Sequence, residues 1–94
     1  MNTVRINTHN TLEHETAKLK VAYLLIKDKK KILTETIFKN GARADILIPE
    51  DFRVIEILHS ETEKEVLDKK EYYPHQLDIL YFKSSEVLKE DFEV

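Results

Sequence analysis

Ninety-four residues, 41% hydrophobic and 35% charged, suffice for one domain with one modest core and exclude both a second domain and a disordered chain. With no cysteine there can be no disulfide or thiolate metal site, so any bound cation must sit on carboxylate, imidazole or carbonyl groups. The formal net charge of −3 argues against holding nucleic acid by bulk electrostatics alone.

Met1 to Asn10 contain no apolar signal-like run, and the longest apolar stretch, Val21 to Ile26, is far too short to span a bilayer. A soluble, cytoplasmic protein with no membrane association is the expectation. Asn10 with Glu13 three residues on has the form of a capping box, and Leu12, Leu19, Ala22, Tyr23 and Ile26 follow helical spacing. These features predict a helix from Thr11 to Lys27. Val21 to Ile26 is apolar all round, which predicts that this end is wedged between a sheet and a second surface.

Asp28 to Lys31 is a polar break. The β-branched and aromatic residues of Ile32 to Phe38 then suit a strand, and Lys39, Asn40 and Gly41 a hairpin turn into a second strand, Ala42 to Ile48. Pro49 to Phe52 forms the next turn and Arg53 to Leu58 the third strand. Ser60 and Glu63 repeat the capping signature, so a second helix is expected over Glu61 to Glu71, followed by a fourth strand, Gln76 to Phe82. The core thus runs over residues 10–82 of a single domain, in the order αβββαβ. This predicts an α/β fold, a mixed four-stranded sheet flanked by helices. The tail, 83–94, has Val87, Leu88 and Phe92 at a spacing that suits a short C-terminal helix.

If Ile48 opposes Arg53, then Ile46 opposes Ile55, Ala44 opposes Ile57 and Asp45 opposes Glu56. Two carboxylates then face each other about 5 Å apart at Cβ, which is destabilising unless something such as a divalent cation neutralises them. The same register lines Ala44, Ile46, Ile48, Ile55 and Ile57 along the reverse face. Solvated carboxylates satisfied by Arg43 and water are the bland alternative. Against it, Leu47, Val54 and Leu58 share their face, and acids set among apolar side chains favour a metal or acid–base site. Glu35 joins them only if the hairpin loop has three residues with Gly41 left-handed; a two-residue Asn-Gly turn would put Thr36 opposite Asp45 instead.

The segment Gly41-Ala42-Arg43-Ala44-Asp45 followed by Val54-Ile55-Glu56-Ile57 resembles the motif of the PD-(D/E)XK, or restriction-endonuclease-like, nucleases, and the αβββαβ order agrees with it. Within that superfamily the nearest likeness is to Holliday-junction resolvases and CoiA-like competence nucleases, whose first helix resembles His14-Glu15-Thr16-Ala17-Lys18. The resemblance implies a metal-dependent endonuclease acting on DNA, with Asp45, Glu56 and the Ile57 carbonyl around Mg²⁺ or Mn²⁺, Glu35 joining them as a further metal ligand if the register allows, and a homodimer presenting two sites. Where the family has lysine two residues after the glutamate, this chain has Leu58.

Lys18, one turn from His14 on a stripe that continues to Val21 and Leu25, is the first replacement for that cation. Arg43, opposite Leu58, is the second, with an ion pair to Asp45 or Glu56 as its plainer role, and Lys64 and Lys69 are the third. The departure at Leu58 equally suits a catalytically degenerate module that binds nucleic acid or a protein. His9, His59 and His75 are read as surface or capping residues, and Tyr72 and Tyr73 as core.

Overall fold

A computed structural model of the chain describes residues 3–58, 73–74 and 76–94. Its elements are helix α1 (Leu12–Lys27), strands β1 (Leu33–Ile37), β2 (Arg43–Ile48), β3 (Arg53–Leu58) and β4 (Asp78–Lys83), and a one-turn helix α2 (Ser84–Val87). The strands form one mixed sheet in the order β1-β2-β3-β4, with β3 and β4 parallel and the other neighbours antiparallel. The helix expected over Glu61 to Glu71 lies outside the described residues, as do His59, Lys64, Lys69, Tyr72 and His75. Among the described residues no helix is long and apolar enough to cross a membrane.

Thr11, rather than Asn10, caps α1: its side chain accepts a hydrogen bond from the His14 N–H at 3.1 Å. The helix ends in a Schellman arrangement. Lys29 donates to the Ile26 carbonyl and Lys30 to the Leu25 carbonyl, both at 2.9 Å, with Lys29 left-handed at φ 63°. Of the two apolar stripes on α1, the structure buries the one through Ala17, Val21, Ala22 and Leu25, and leaves Leu12, Leu19, Tyr23 and Ile26 exposed. The expectation that Val21 to Ile26 is wedged between the sheet and a second surface is thereby corrected for Tyr23 and Ile26, which are exposed, while Val21, Ala22 and Leu25 pack on the sheet and on Val87.

The buried stripe packs on Ile46, Ile48, Ile55 and Ile57, joined by Ile32 and Val87. Each such aliphatic side chain contributes about 1.5–3 kcal/mol on burial, so this layer is the main source of stability. On the opposite face Val54 and Tyr73 gather Phe38, Leu47, Leu77 and Ile79. Ala44 belongs to this second cluster and not, as expected, to the row of isoleucines. Side chains alternate along a regular strand. Both Ile46 and Asp45 nevertheless reach toward α1, Asp45 through His14, so β2 departs from alternation between Ala44 and Ile46.

The hairpin between β1 and β2 has the three-residue form. Phe38 donates to the Ala42 carbonyl at 2.8 Å, Gly41 sits at φ 89°, and Thr34↔Ile46 and Thr36↔Ala44 are paired. This register puts Glu35 across from Asp45, with Glu35 itself left-handed at φ 53°. Between β2 and β3 the paired residues are Ile46↔Ile55, Leu47↔Val54 and Ile48↔Arg53, the register expected from the Pro49–Asp51 turn.

Candidate functional site

Beyond Ile46↔Ile55 the place of a backbone partner is taken by a side chain: the Ile57 N–H donates to Asp45 Oδ2 at 2.8 Å. Asp45 therefore sits in a gap between β2 and β3, from which its carboxylate meets groups on both faces of the sheet. Toward α1, His14 Nε2 lies 3.3 Å from Asp45 Oδ2. Its other neighbour is Glu56, whose carboxyl hydrogen-bonds to that of Asp45.

Tyr73 completes this side. Its hydroxyl donates to Glu56 Oε1 and approaches the Arg43 carbonyl at 2.9 Å, and its ring meets Phe38 edge-on at 5.6 Å. Both acids are nearly enclosed, with Asp45 9% and Glu56 3% exposed. Burial disfavours the Asp45 charge. Hydrogen bonds from His14, Glu56 and the Ile57 N–H outweigh that penalty and hold its carboxyl below the usual range.

A second group of charges lies one turn along α1. Lys18 Nζ is fully buried and contacts Glu15 Oε2 at 2.6 Å, Glu35 Oε1 at 2.8 Å and the Arg5 carbonyl at 2.7 Å. An ammonium group has three N–H donors, and all three are spent within the chain. Burial works against the Lys18 charge, but Glu15 and Glu35 raise its pKa above the ordinary value, so it stays protonated. Arg43, half exposed, has Glu35 as its acidic neighbour, with Nε 3.8 Å from Glu35 Oε2.

Glu15 joins the two groups. Its Oε1 meets His14 Nδ1 and accepts from Asn10 Nδ2, both at 2.9 Å, while its Oε2 accepts from the Asn7 N–H and Lys18. Burial opposes its ionisation, yet Lys18, Asn7, Asn10 and His14 bring its pKa from 4.5 down to about 2. For His14 burial again opposes the charge, and Asp45 and then Glu15 overcome it, raising the pKa from 6.5 to about 9. At neutral pH, His14 is an imidazolium between two carboxylates.

The structure thus gathers His14, Lys18, Glu35, Arg43, Asp45 and Glu56 at one end of α1 and the sheet, and adds Glu15, Asn10 and Tyr73. Glu15 was legible in principle: it is three residues from Lys18 and adjacent to His14, on the inward side of an amphipathic helix. Nothing local in the sequence marks Tyr73 as a donor to Glu56. Expected to be a core residue, it is one, with its hydroxyl engaged as well. His9 is exposed.

Among the described residues no three His, Asp or Glu side chains are arranged as a metal cage. The donor set at Asp45, Glu56 and the Ile57 carbonyl is nonetheless one that a hard cation accepts, since Mg²⁺ commonly takes one or two carboxylates and completes its shell with water and phosphate oxygens. Glu35, by contrast, is committed to Lys18 and Arg43. The chain matches no family model, no curated protein and no solved structure.

Proposed function

We propose that the chain is a small restriction-endonuclease-like domain of αβββαβ order that hydrolyses DNA phosphodiester bonds with the help of Mg²⁺ or Mn²⁺ at Asp45 and Glu56. One observation carries the reading: the buried carboxyls of Asp45 and Glu56, on adjacent strands, interact inside a nearly closed site where the β2–β3 pairing has given way. Placing like-charged groups in contact inside a protein costs stability, and such an arrangement is kept most readily where the pair has work to do. DNA as the substrate comes from the motif resemblance. A bound divalent cation would supply charge neutralisation at the scissile phosphate. The chain's own part is then to orient Asp45 through the Ile57 N–H and His14, and to fix Glu56 through Tyr73.

Two features favour a second reading, a domain of the same fold that binds nucleic acid or a protein without cutting. The residue two beyond Glu56 is Leu58, which can neither orient water nor stabilise developing charge. Lys18, the nearest candidate to replace the missing lysine, has every N–H satisfied internally. Incubating the purified protein with labelled single-stranded, duplex and four-way-junction DNA, with Mg²⁺ or Mn²⁺, separates the two. Cleavage by the wild type that Glu56→Gln abolishes establishes the nuclease. Binding without cleavage under either metal establishes the second reading.

A further inference from the structure

The C-terminal end of α1, away from His14, borders a cavity that the acid site does not use. It has a volume of about 360 Å³ and is walled by Leu24, Leu25, Ile55, Leu80 and Phe92. A cavity of that size suits a small organic ligand, and such sites set a few placed polar groups in an apolar lining.

Five charged side chains share the lining: Asp28, Lys30, Asp51, Arg53 and Glu93. Lys30 and Asp51 answer each other, with Nζ 3.1 Å from Oδ2. Arg53 differs. It projects from β3 on the same face as Ile55 and is partly buried, and its Nε is closed to solvent with no acceptor among the described residues. Buried N–H groups nearly always find an acceptor, and a charged donor left without one is costly. A guanidinium in that state beside a cavity therefore calls for an anion, and the planar fork of arginine matches a carboxylate best. A bare anion would also meet the carboxylates of Asp28 and Glu93, both of which are exposed at the rim. A ligand that carries a cation beside its carboxylate satisfies both ends.

We propose that this cavity binds a free amino acid with an apolar side chain. Its carboxylate lies on Arg53, its ammonium group faces Asp28 and Glu93, and its side chain packs against Leu24, Leu25, Leu80 and Phe92. The site is independent of the nuclease reading, because it shares no residue with the group formed by His14, Asp45 and Glu56.

Calorimetric titration of the full chain with L-leucine and with L-phenylalanine tests the inference. Isocaproate and hydrocinnamate serve as the analogues without the ammonium group, isoamylamine and phenethylamine as those without the carboxylate. The tighter-binding amino acid should have a dissociation constant of about 1 mM or below, and each of its analogues should bind at least ~10-fold more weakly. Arg53→Met, which removes the orphaned donor and keeps an apolar stem, should lose binding while circular dichroism shows it folded. Leu80→Trp, on the edge strand β4, should lose binding as well by filling the cavity with Arg53 intact. Asp28→Asn combined with Glu93→Gln, at exposed positions, should weaken the amino acid about tenfold and leave its ammonium-free analogue no weaker. The proposal is overturned if neither amino acid binds, if a folded Arg53→Met or Leu80→Trp variant binds as well as the wild type, or if the ammonium-free analogue matches the amino acid.

Discussion

The imidazole of His14 stands with Nε2 3.3 Å from Asp45 Oδ2 and Nδ1 2.9 Å from Glu15 Oε1, so one ring on α1 bridges an acid of its own helix and an acid of β2. Both ring nitrogens can donate only if the ring is charged. The position of α1 on the sheet is therefore coupled to the protonation of one histidine.

That coupling sets a pH dependence. His14 has its pKa raised from 6.5 to about 9, so its contribution is fully present below 6.5 and is lost as the pH rises through 9. A change of that size corresponds to at most about 3 kcal/mol. Glu15, lowered from 4.5 to about 2, contributes above 4.5 and loses its contribution as the pH falls through 2. These two groups place their joint maximum between pH 4.5 and 6.5. Urea denaturation at a series of pH values should show wild-type stability declining from pH 6.5 to 9, with a clearly smaller decline in His14→Gln. Parallel declines in both proteins would show that His14 is not the titrating group.

Lys18 holds two buried carboxylates, and removing it alone should be severe. Lys18→Met leaves Glu15 and Glu35 without their shared cation, at an expected cost of about 3–5 kcal/mol. Neutralising all three positions together, as Lys18→Met with Glu15→Gln and Glu35→Gln, should recover a good part of that loss, because the penalty comes from uncompensated charge. Equilibrium unfolding of the two variants decides the point. A triple variant less stable than Lys18→Met would mean that the hydrogen bonds of Glu15 to Asn7 and Asn10 outweigh the electrostatics.

The end of α1 carries a removable strain. Lys29 occupies the left-handed position of the Schellman motif at φ 63°, where a side chain costs roughly 1 kcal/mol relative to glycine. Lys29 is exposed, so Lys29→Gly loses little packing. The substitution should raise stability by about 0.5–1 kcal/mol, seen as a melting temperature a few degrees higher. An unchanged or lower melting temperature would show that the greater freedom of glycine in the unfolded chain cancels the gain.

Much of the sheet could be read from the sequence because strand periodicity and turn chemistry are local. Pro49 and Asp51 mark the turn that sets Ile48 against Arg53, and β3 occupies Arg53–Leu58 as expected. The choice between Thr36 and Glu35 opposite Asp45 was open because Asn40-Gly41 fits two loop lengths, and the structure takes the longer one. The helix was harder. Two apolar stripes run along α1, and only packing on the isoleucines of β2 and β3 decides which is buried. Asn10 looks like a cap because capping residues cluster before helices, yet Thr11 takes that role and Asn10 binds the side chain of Glu15. Glu56 and Tyr73, 17 residues apart, meet only once β3 and the segment before β4 are in place, and no local pattern announces such a contact.

Leu58 offers the sharpest test of the site. Two residues beyond Glu56 on β3, it projects to the same side of the sheet as Glu56 and is half-buried at the strand end, paired with Lys83 of β4. Leu58→Lys would place an ammonium group beside the acid pair without disturbing Lys18, whose donors are already in use. A donor positioned where charge develops in the transition state is typically worth on the order of 10²- to 10³-fold in rate. Leu58→Lys should therefore cleave DNA with Mg²⁺ at least ~10-fold faster than the wild type, and adding Glu56→Gln should abolish the gain. If the folded Leu58→Lys variant cuts no faster than the wild type, the absent lysine is not what limits the chemistry, and if neither protein cuts, the non-cutting reading of the domain becomes the better one.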